Sequence, residues 1–398
     1  MESNSKFITL CFRSPFGCLG GIFSKFDPIL LATNIIENTT KIDEIFDFKD
    51  VNHYILGNVY NSNLGTNLIN RIVKSSLLGD NVSRTQISHG QITGLKIIIE
   101  AISNINSGQD IVMCQTLEHL SSSSDSHYGK RFSISLSNQV NLKRDNLLRD
   151  IYYINDELGS WSQHSDRIGL KYKVTKDESD QWVKRSFENA KSAAVNYLLN
   201  VEISPVRIQT EDNIIKYLDL DQEIINKQID DISSIFPLYT EDGILSSDAI
   251  SSSCDGSAIC IVSSEKGLRR TGLIPQARII GSITHYSVNN DYLVNSVDCI
   301  QKCLKDANLK LKDIDIFEIH EDSTITPLGI TKILKIDHDK VNLLGGSLCF
   351  GNPISVSGMR LITTTCNQMR RDKSIKRALL HISDPSCMSC TLILENTM

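Results

Sequence analysis

The stretch "GQITGLKIIIEAISNI" (90–105) decides how the rest of the chain is read. From Leu95 to Ile105 it is apolar on nearly every side, the pattern of a helix buried all round at the centre of a fold. Gly94 stands where a polar turn enters that helix. The second half holds an echo, "GNPISVSGMRLI" (351–362), again a polar turn with glycine leading into a helix. The start of a buried helix is a natural place for a nucleophile. The residue there is Gln91, whose amide nitrogen is not nucleophilic under ordinary conditions.

Working outward, β-branched apolar runs bounded by polar residues predict strands at 7–12, 110–114, 257–263, 315–319, 378–383 and 390–394. Between them the spacing predicts an amphipathic helix over 296–309 and a helix over 357–373 that starts apolar and ends basic, as the helix dipole favours. The alternation is that of an α/β protein with layered sheets and helices. Residues 121–246 differ, being rich in Ser, Asn and Asp, and read as an inserted cap. Its clearest helix begins at Thr175 with the capping box "TKDE" and carries an apolar stripe of Trp182, Phe187, Ala190, Ala194, Tyr197 and Leu198. The expected organisation is an N-terminal half at 1–120, the insertion at 121–246, the end of the N-terminal half at 247–272, and a C-terminal half at 273–398.

The 398 residues, 40% hydrophobic, are ample for a large core in two or three domains. A net charge of −6 argues against a general nucleic-acid binder. The eleven cysteines are odd in number and show no metal-type pairing, which fits reduced thiols in a cytoplasmic setting. "CMSC" (387–390) has CxxC spacing but reads as part of a terminal strand, which would point Cys387 and Cys390 to opposite faces, so two packing residues are expected there rather than a redox pair. No secretory signal and no membrane-spanning run are expected.

Several blocks, in order, resemble the thiolase family. "LKDIDIFEIHEDS" (311–323) followed by "NLLGGSLCFGNPISVSGMRLI" (342–362) is similar to its strand ending in Asn/His-Glu-Ala-Phe and its Gly-His-Pro loop and helix. "RSPFG" (13–17) resembles the Arg-Thr-Pro-Phe-Gly opening, "SGQDIVMCQTLEHLS" (107–121) the Ala-Gly-Gly-x-Glu-x-Met-Ser block with Glu118 and Ser121 retained, and "SDAISSSCDGSAICIV" (247–262) the Asn-Ala-Ser-x-x-x-Asp-Gly-Ala block. The opening and His320 resemble thiolases of the trifunctional fatty-acid oxidation type. The resemblance implies a five-layered fold of two duplicated α/β halves with an inserted loop domain, assembled as a dimer or tetramer. It implies acyl transfer between 3-ketoacyl-CoA and CoA in active members, by a nucleophilic Cys, an activating His in Gly-His-Pro, a second Cys in Cys-x-Gly, and an oxyanion residue before Glu-Ala-Phe.

Carried over residue by residue, the nucleophile position is Gln91, the activating His is Asn352, the second Cys is Ser383, and the first Gly of the following run is Pro385. His320 keeps the oxyanion position, with Asp322 and Ser323 where the family has Ala and Phe. Gln forms no thioester and has no titratable proton, Asn does not relay one, Ser is a poor base, and Pro lacks a backbone N–H. No cysteine stands in register: Cys114 falls in a strand, Cys349 lies within the loop, and Cys387 lies four residues past Ser383. The expectation is a thiolase-like protein of acyl-CoA metabolism with its catalysis impaired or lost, kept as a binding, structural or regulatory subunit, alone as a homo-oligomer or with an active thiolase or β-oxidation subunit. It requires no cofactor. Ser251 matches the family's Ser beside the CoA pantetheine, and Lys143, Arg144 and Arg149 fall where CoA phosphates would dock; as residue types they equally suit a polar turn and a solvated surface. His164 receives no role. Two other readings stay open: an active acetyl-CoA acyltransferase using other residues, and, since Gln replaces Cys in decarboxylating members of the wider superfamily, a malonyl-thioester decarboxylase using Gln91 and His320.

Overall fold

The computed structural model describes residues 5–42, 46–61, 64–127, 143–145, 147, 153–155, 158–209, 215–227, 236–288 and 290–397. The main sheet runs through β1 (Lys6–Arg13), β2 (His53–Gly57), β3 (Ser83–Ile87), β4 (Ile111–Glu118), β5 (Cys254–Ser264), β6 (Ala277–Tyr286), β7 (Ile316–Ile319), β8 (Arg377–Asp384) and β9 (Met388–Asn396). The helices that frame it are α1 (Pro28–Ile42), α2 (Leu68–Lys74), α3 (Thr93–Asn106), α4 (Trp161–Lys171), α5 (Lys176–Val195), α6 (Tyr292–Asp306), α7 (Ile325–Leu334) and α8 (Ser355–Arg371).

Strand order is β7-β8-β9-β6-β1-β5-β4-β2-β3, and the path divides into two arms at a short antiparallel contact of Lys6–Ile8 with Ala277–Ile279. From that junction each arm runs antiparallel, antiparallel, then parallel: β1, β5, β4, β2 on one side and β6, β9, β8, β7 on the other. This is the duplication that the two glycine turns echoed. Strand alternation sorts side chains to two faces. Val112 and Cys114 of β4 and Ala258 and Cys260 of β5 join the central core, while Ile111, Met113, Ile259 and Ile261 pack with α1 and α2 on the outer face. Helices α3 and α8 lie between the arms, and α6 covers the far arm, so five layers result.

The two central helices meet at glycines. A Cβ on Gly94 would lie 2.6 Å from the Ser355 carbonyl oxygen, and one on Gly358 would lie 2.7 Å from the Leu95 nitrogen. Only residues without side chains let the two backbones approach this closely. Every residue of α8 from Ser355 to Met369 is buried.

Sequence periodicity missed three of these nine strands, as well as the short strand pairs outside the main sheet. β3 is an edge strand with exposed and half-buried residues, β2 is only five residues long, and β6 carries Gly281 at a shift in register. The Thr175 capping box forms as expected, but α5 ends at Val195. Tyr197 lies beyond it with φ 56° and is exposed, so it is not part of the apolar stripe. Cys387 sits in the turn before β9 with φ 62°, so "CMSC" spans a turn and a strand; both thiols are free and buried.

Candidate active site

Gln91 stands in the turn that opens α3. Gly90 takes φ 54°, and the Thr93 hydroxyl donates to the Gly90 carbonyl at 2.7 Å and accepts from the His89 N–H at 2.8 Å. Across the seam between the halves, His320 follows β7 directly. Its Nε2 donates to Gln91 Oε1 at 3.0 Å, and its Nδ1 accepts from the Ser347 hydroxyl at 3.0 Å. Burial, with the Arg360 guanidinium adding positive charge, holds the imidazole down to about 3, so it is neutral at physiological pH. Two positions 229 residues apart are thus joined in one contact. The amide oxygen of Gln91 is engaged, and the pair offers neither a nucleophile nor a base poised to make one.

The other two family-equivalent positions lie elsewhere in the seam. Asn352 Oδ1 accepts from the Ser357 hydroxyl at 2.7 Å, and its N–H donates to the Ser252 carbonyl at 2.7 Å. Its side chain therefore braces the first turn of α8. Ser383 is buried in β8, and its hydroxyl has no hydrogen-bond partner among the described residues. The next residue makes the contact that sequence reasoning passed over: Asp384 Oδ2 accepts the Gln91 N–H at 2.9 Å. Its signal was its place between two substituted positions.

A cavity of about 250 Å³ opens in front of Gln91, walled by Val59, Ile154, Trp161, Ile354, Pro385 and Met388, with Asp384 the charged group among the described residues that line it. Trp161 heads α4 and comes from the region read as an insertion. Ile354 holds φ 33°, an unusual conformation for a β-branched residue at the entrance to α8. Ser251 does not line this cavity: its hydroxyl and its N–H both bind the Asp322 carbonyl, at 3.0 and 2.9 Å. His164 is buried with Nε2 on the Asn290 carbonyl at 2.7 Å. Arg149 lies outside the described residues, and nothing is described of the Lys143 and Arg144 side chains.

Two buried glutamates fasten the site. Glu118 accepts from the N–H of Val59 in the cavity wall, from the N–H of Tyr60, from Asn58, and from the Ser355 N–H at the head of α8, and burial pushes its carboxyl up to about 7. Glu321 does the corresponding work in the other half, accepting from Trp182 Nε1 at 3.0 Å, the Ser186 hydroxyl at 2.8 Å and Asn342 Nδ2 at 2.8 Å. The "RSPFG" arginine is a buried staple: Arg13 meets Asp221 through both terminal nitrogens, at 2.6 and 2.9 Å, and Glu202 through Nε at 2.8 Å. No cysteine lines the cavity, and burial raises the Cys114, Cys254 and Cys349 thiols well above their ordinary value.

Two duplicated halves meeting through paired central helices, with the turn before each helix bordering one site, define the thiolase architecture. The chain belongs to the thiolase family: the model for the thiolase N-terminal domain matches residues 7–266, and that for the C-terminal domain matches residues 273–396. Among relatives, it is 29% identical to a probable acetyl-CoA acetyltransferase of Dictyostelium discoideum, over 96% of this chain and 92% of that one. It is 26% identical to a probable acetyl-CoA acyltransferase of Staphylococcus aureus (strain MRSA252), over 91% and 92%. In three dimensions it is similar to human mitochondrial 3-ketoacyl-CoA thiolase, with a TM-score of 0.90 at 21% identity and 99% of each chain covered. Bacillus anthracis acetyl-CoA acetyltransferase superposes with a TM-score of 0.91 at 23% identity and 98% of each chain.

Proposed function

We propose that this protein binds a CoA-type ligand in the seam between its halves without performing thiolase acyl transfer, and serves acyl-CoA metabolism as a binding or regulatory subunit. The observation that carries the reading is the contact of Gln91 Oε1 with a neutral His320 at the head of the central helix, where covalent chemistry needs a thiolate. The engaged Asn352 supports it. The relatives' names point to acetyl-CoA chemistry, and one similar structure, of human mitochondrial 3-ketoacyl-CoA thiolase, is a complex with CoA. A homodimer or tetramer, or assembly with an active thiolase, in a reducing cytoplasm-like compartment fits the family and the eleven free thiols. Calorimetry with CoA, run beside a thiolysis assay with acetoacetyl-CoA, tests this: binding without cleavage supports it, whereas no binding or CoA-dependent cleavage sinks it.

The Gln91–His320 contact also favours a second reading, decarboxylation of a malonyl thioester. There the breaking C–C bond releases CO2, the carbanion takes up a proton, and no acyl-enzyme forms. Production of acetyl-CoA from malonyl-CoA, lost in His320→Ala, supports it; unchanged malonyl-CoA removes it. An acyltransferase with an unrecognised cysteine nucleophile is disfavoured, because no cysteine reaches the cavity wall.

A further inference from the structure

The N–H at the head of α3 faces a cavity whose remaining walls are mostly apolar. A backbone donor in that position is the natural partner for a carbonyl oxygen or a developing oxyanion. Here the protein supplies its own acceptor. Asp384 Oδ2 takes the Gln91 N–H at 2.9 Å, and Oδ1 is anchored by the Ser386 N–H at 2.9 Å. Gly90 makes room for it, since a Cβ there would fall 2.4 Å from Asp384 Oδ2. The carboxylate is part of the cavity wall.

We propose that Asp384 makes this cavity select the free thiol of a CoA-type ligand over its thioester. The inference rests on the CoA-binding reading above. A thioester carbonyl offers only an acceptor. Brought to the head of α3 it meets a donor already taken and a negative oxygen, beside Trp161, Ile354 and Met388. A thiol has a proton to donate, and the carboxylate keeps lone pairs to receive it. An unmatched acceptor of this kind lowers affinity by roughly ten- to a hundred-fold.

The test is titration calorimetry of CoA and of acetyl-CoA against the full chain and against Asp384→Asn, with thermal melting to verify that the variant folds. The carboxamide keeps the size of the carboxylate and adds a donor. The wild type is expected to bind CoA at least about ten-fold more tightly than acetyl-CoA, and the variant to narrow that ratio by about ten-fold or more. Ser386→Ala, which removes the Ser386 hydroxyl bond to the other carboxylate oxygen and keeps the backbone N–H on it, is expected to narrow the ratio less. A ratio unchanged between wild type and Asp384→Asn overturns the proposal. Wild type binding neither ligand while Asp384→Asn binds acetyl-CoA supports the exclusion by Asp384 but sinks the native CoA-binding reading. Neither protein binding either ligand overturns both.

Discussion

Gly94→Ala places a methyl group 2.6 Å from the Ser355 carbonyl oxygen and 2.7 Å from the Met359 nitrogen. Both are backbone atoms of the α8 entrance and first turns, so no side chain is free to swing away. Restoring the 3.4 Å at which ordinary contact begins moves the two helices apart by about 0.8 Å. Helix α8 is packed against both arms of the sheet, so that movement has nowhere to dissipate. Overpacking of this kind costs about 1–3 kcal/mol, against a helix-propensity gain of at most about 1 kcal/mol for replacing glycine. The expected result is a net loss of about 1–2 kcal/mol, read as a lower urea midpoint with an unchanged slope. Gly358→Ala strains the same seam, its Cβ meeting the Leu95 nitrogen at 2.7 Å. The double variant should therefore lose less than the two single losses together, by about 0.5 kcal/mol or more. A Gly94→Ala protein as stable as the wild type, or more stable, refutes the close-approach argument.

Arg13→Met leaves Asp221 and Glu202 buried without their counter-charge and should cost about 3–5 kcal/mol in urea unfolding, far more than loss of a surface ion pair. His320 is held near 3 against an ordinary 6.5, so the unfolded chain takes up a proton that the folded chain refuses. The stability from this source is present above pH 6.5 and is lost as pH falls towards 3. The stability difference between wild type and His320→Asn should therefore shift against the wild type by about 1.4 kcal/mol per pH unit between about pH 6 and pH 4. A pH-independent difference contradicts the buried neutral imidazole. Gln91→Cys alone should not restore thiolysis, because Asn352 and Ser383 still provide no proton relay; turnover with acetoacetyl-CoA in that single variant would contradict this division of roles.

The fold was legible because its strongest signals are local. An all-apolar helix after a glycine turn, and β-branched runs cut by polar residues, mark burial whatever the chemistry. β3 and β6 were not legible, because an edge strand and a strand with a central glycine owe their pairing to neighbours distant in sequence. At the site, the positions of Gln91 and His320 followed from the family resemblance, and the structure places them 3.0 Å apart. The same resemblance gave no account of Asp384, since a carboxylate on a helix-head N–H is visible only once β8 and α3 are side by side. The motif suggested a ligand contact at Ser251, and the structure adds that its hydroxyl donates to the Asp322 carbonyl, a bond with no sign in the sequence.

We propose that covalent acyl transfer has been lost at the head of α3. The most direct test of that loss is intact-protein mass spectrometry after incubation with acetoacetyl-CoA, with and without CoA. The chain is expected to stay unmodified, with no consumption of substrate, under both conditions. An acetylated chain that CoA returns to its original mass would show a working nucleophile and contradict it.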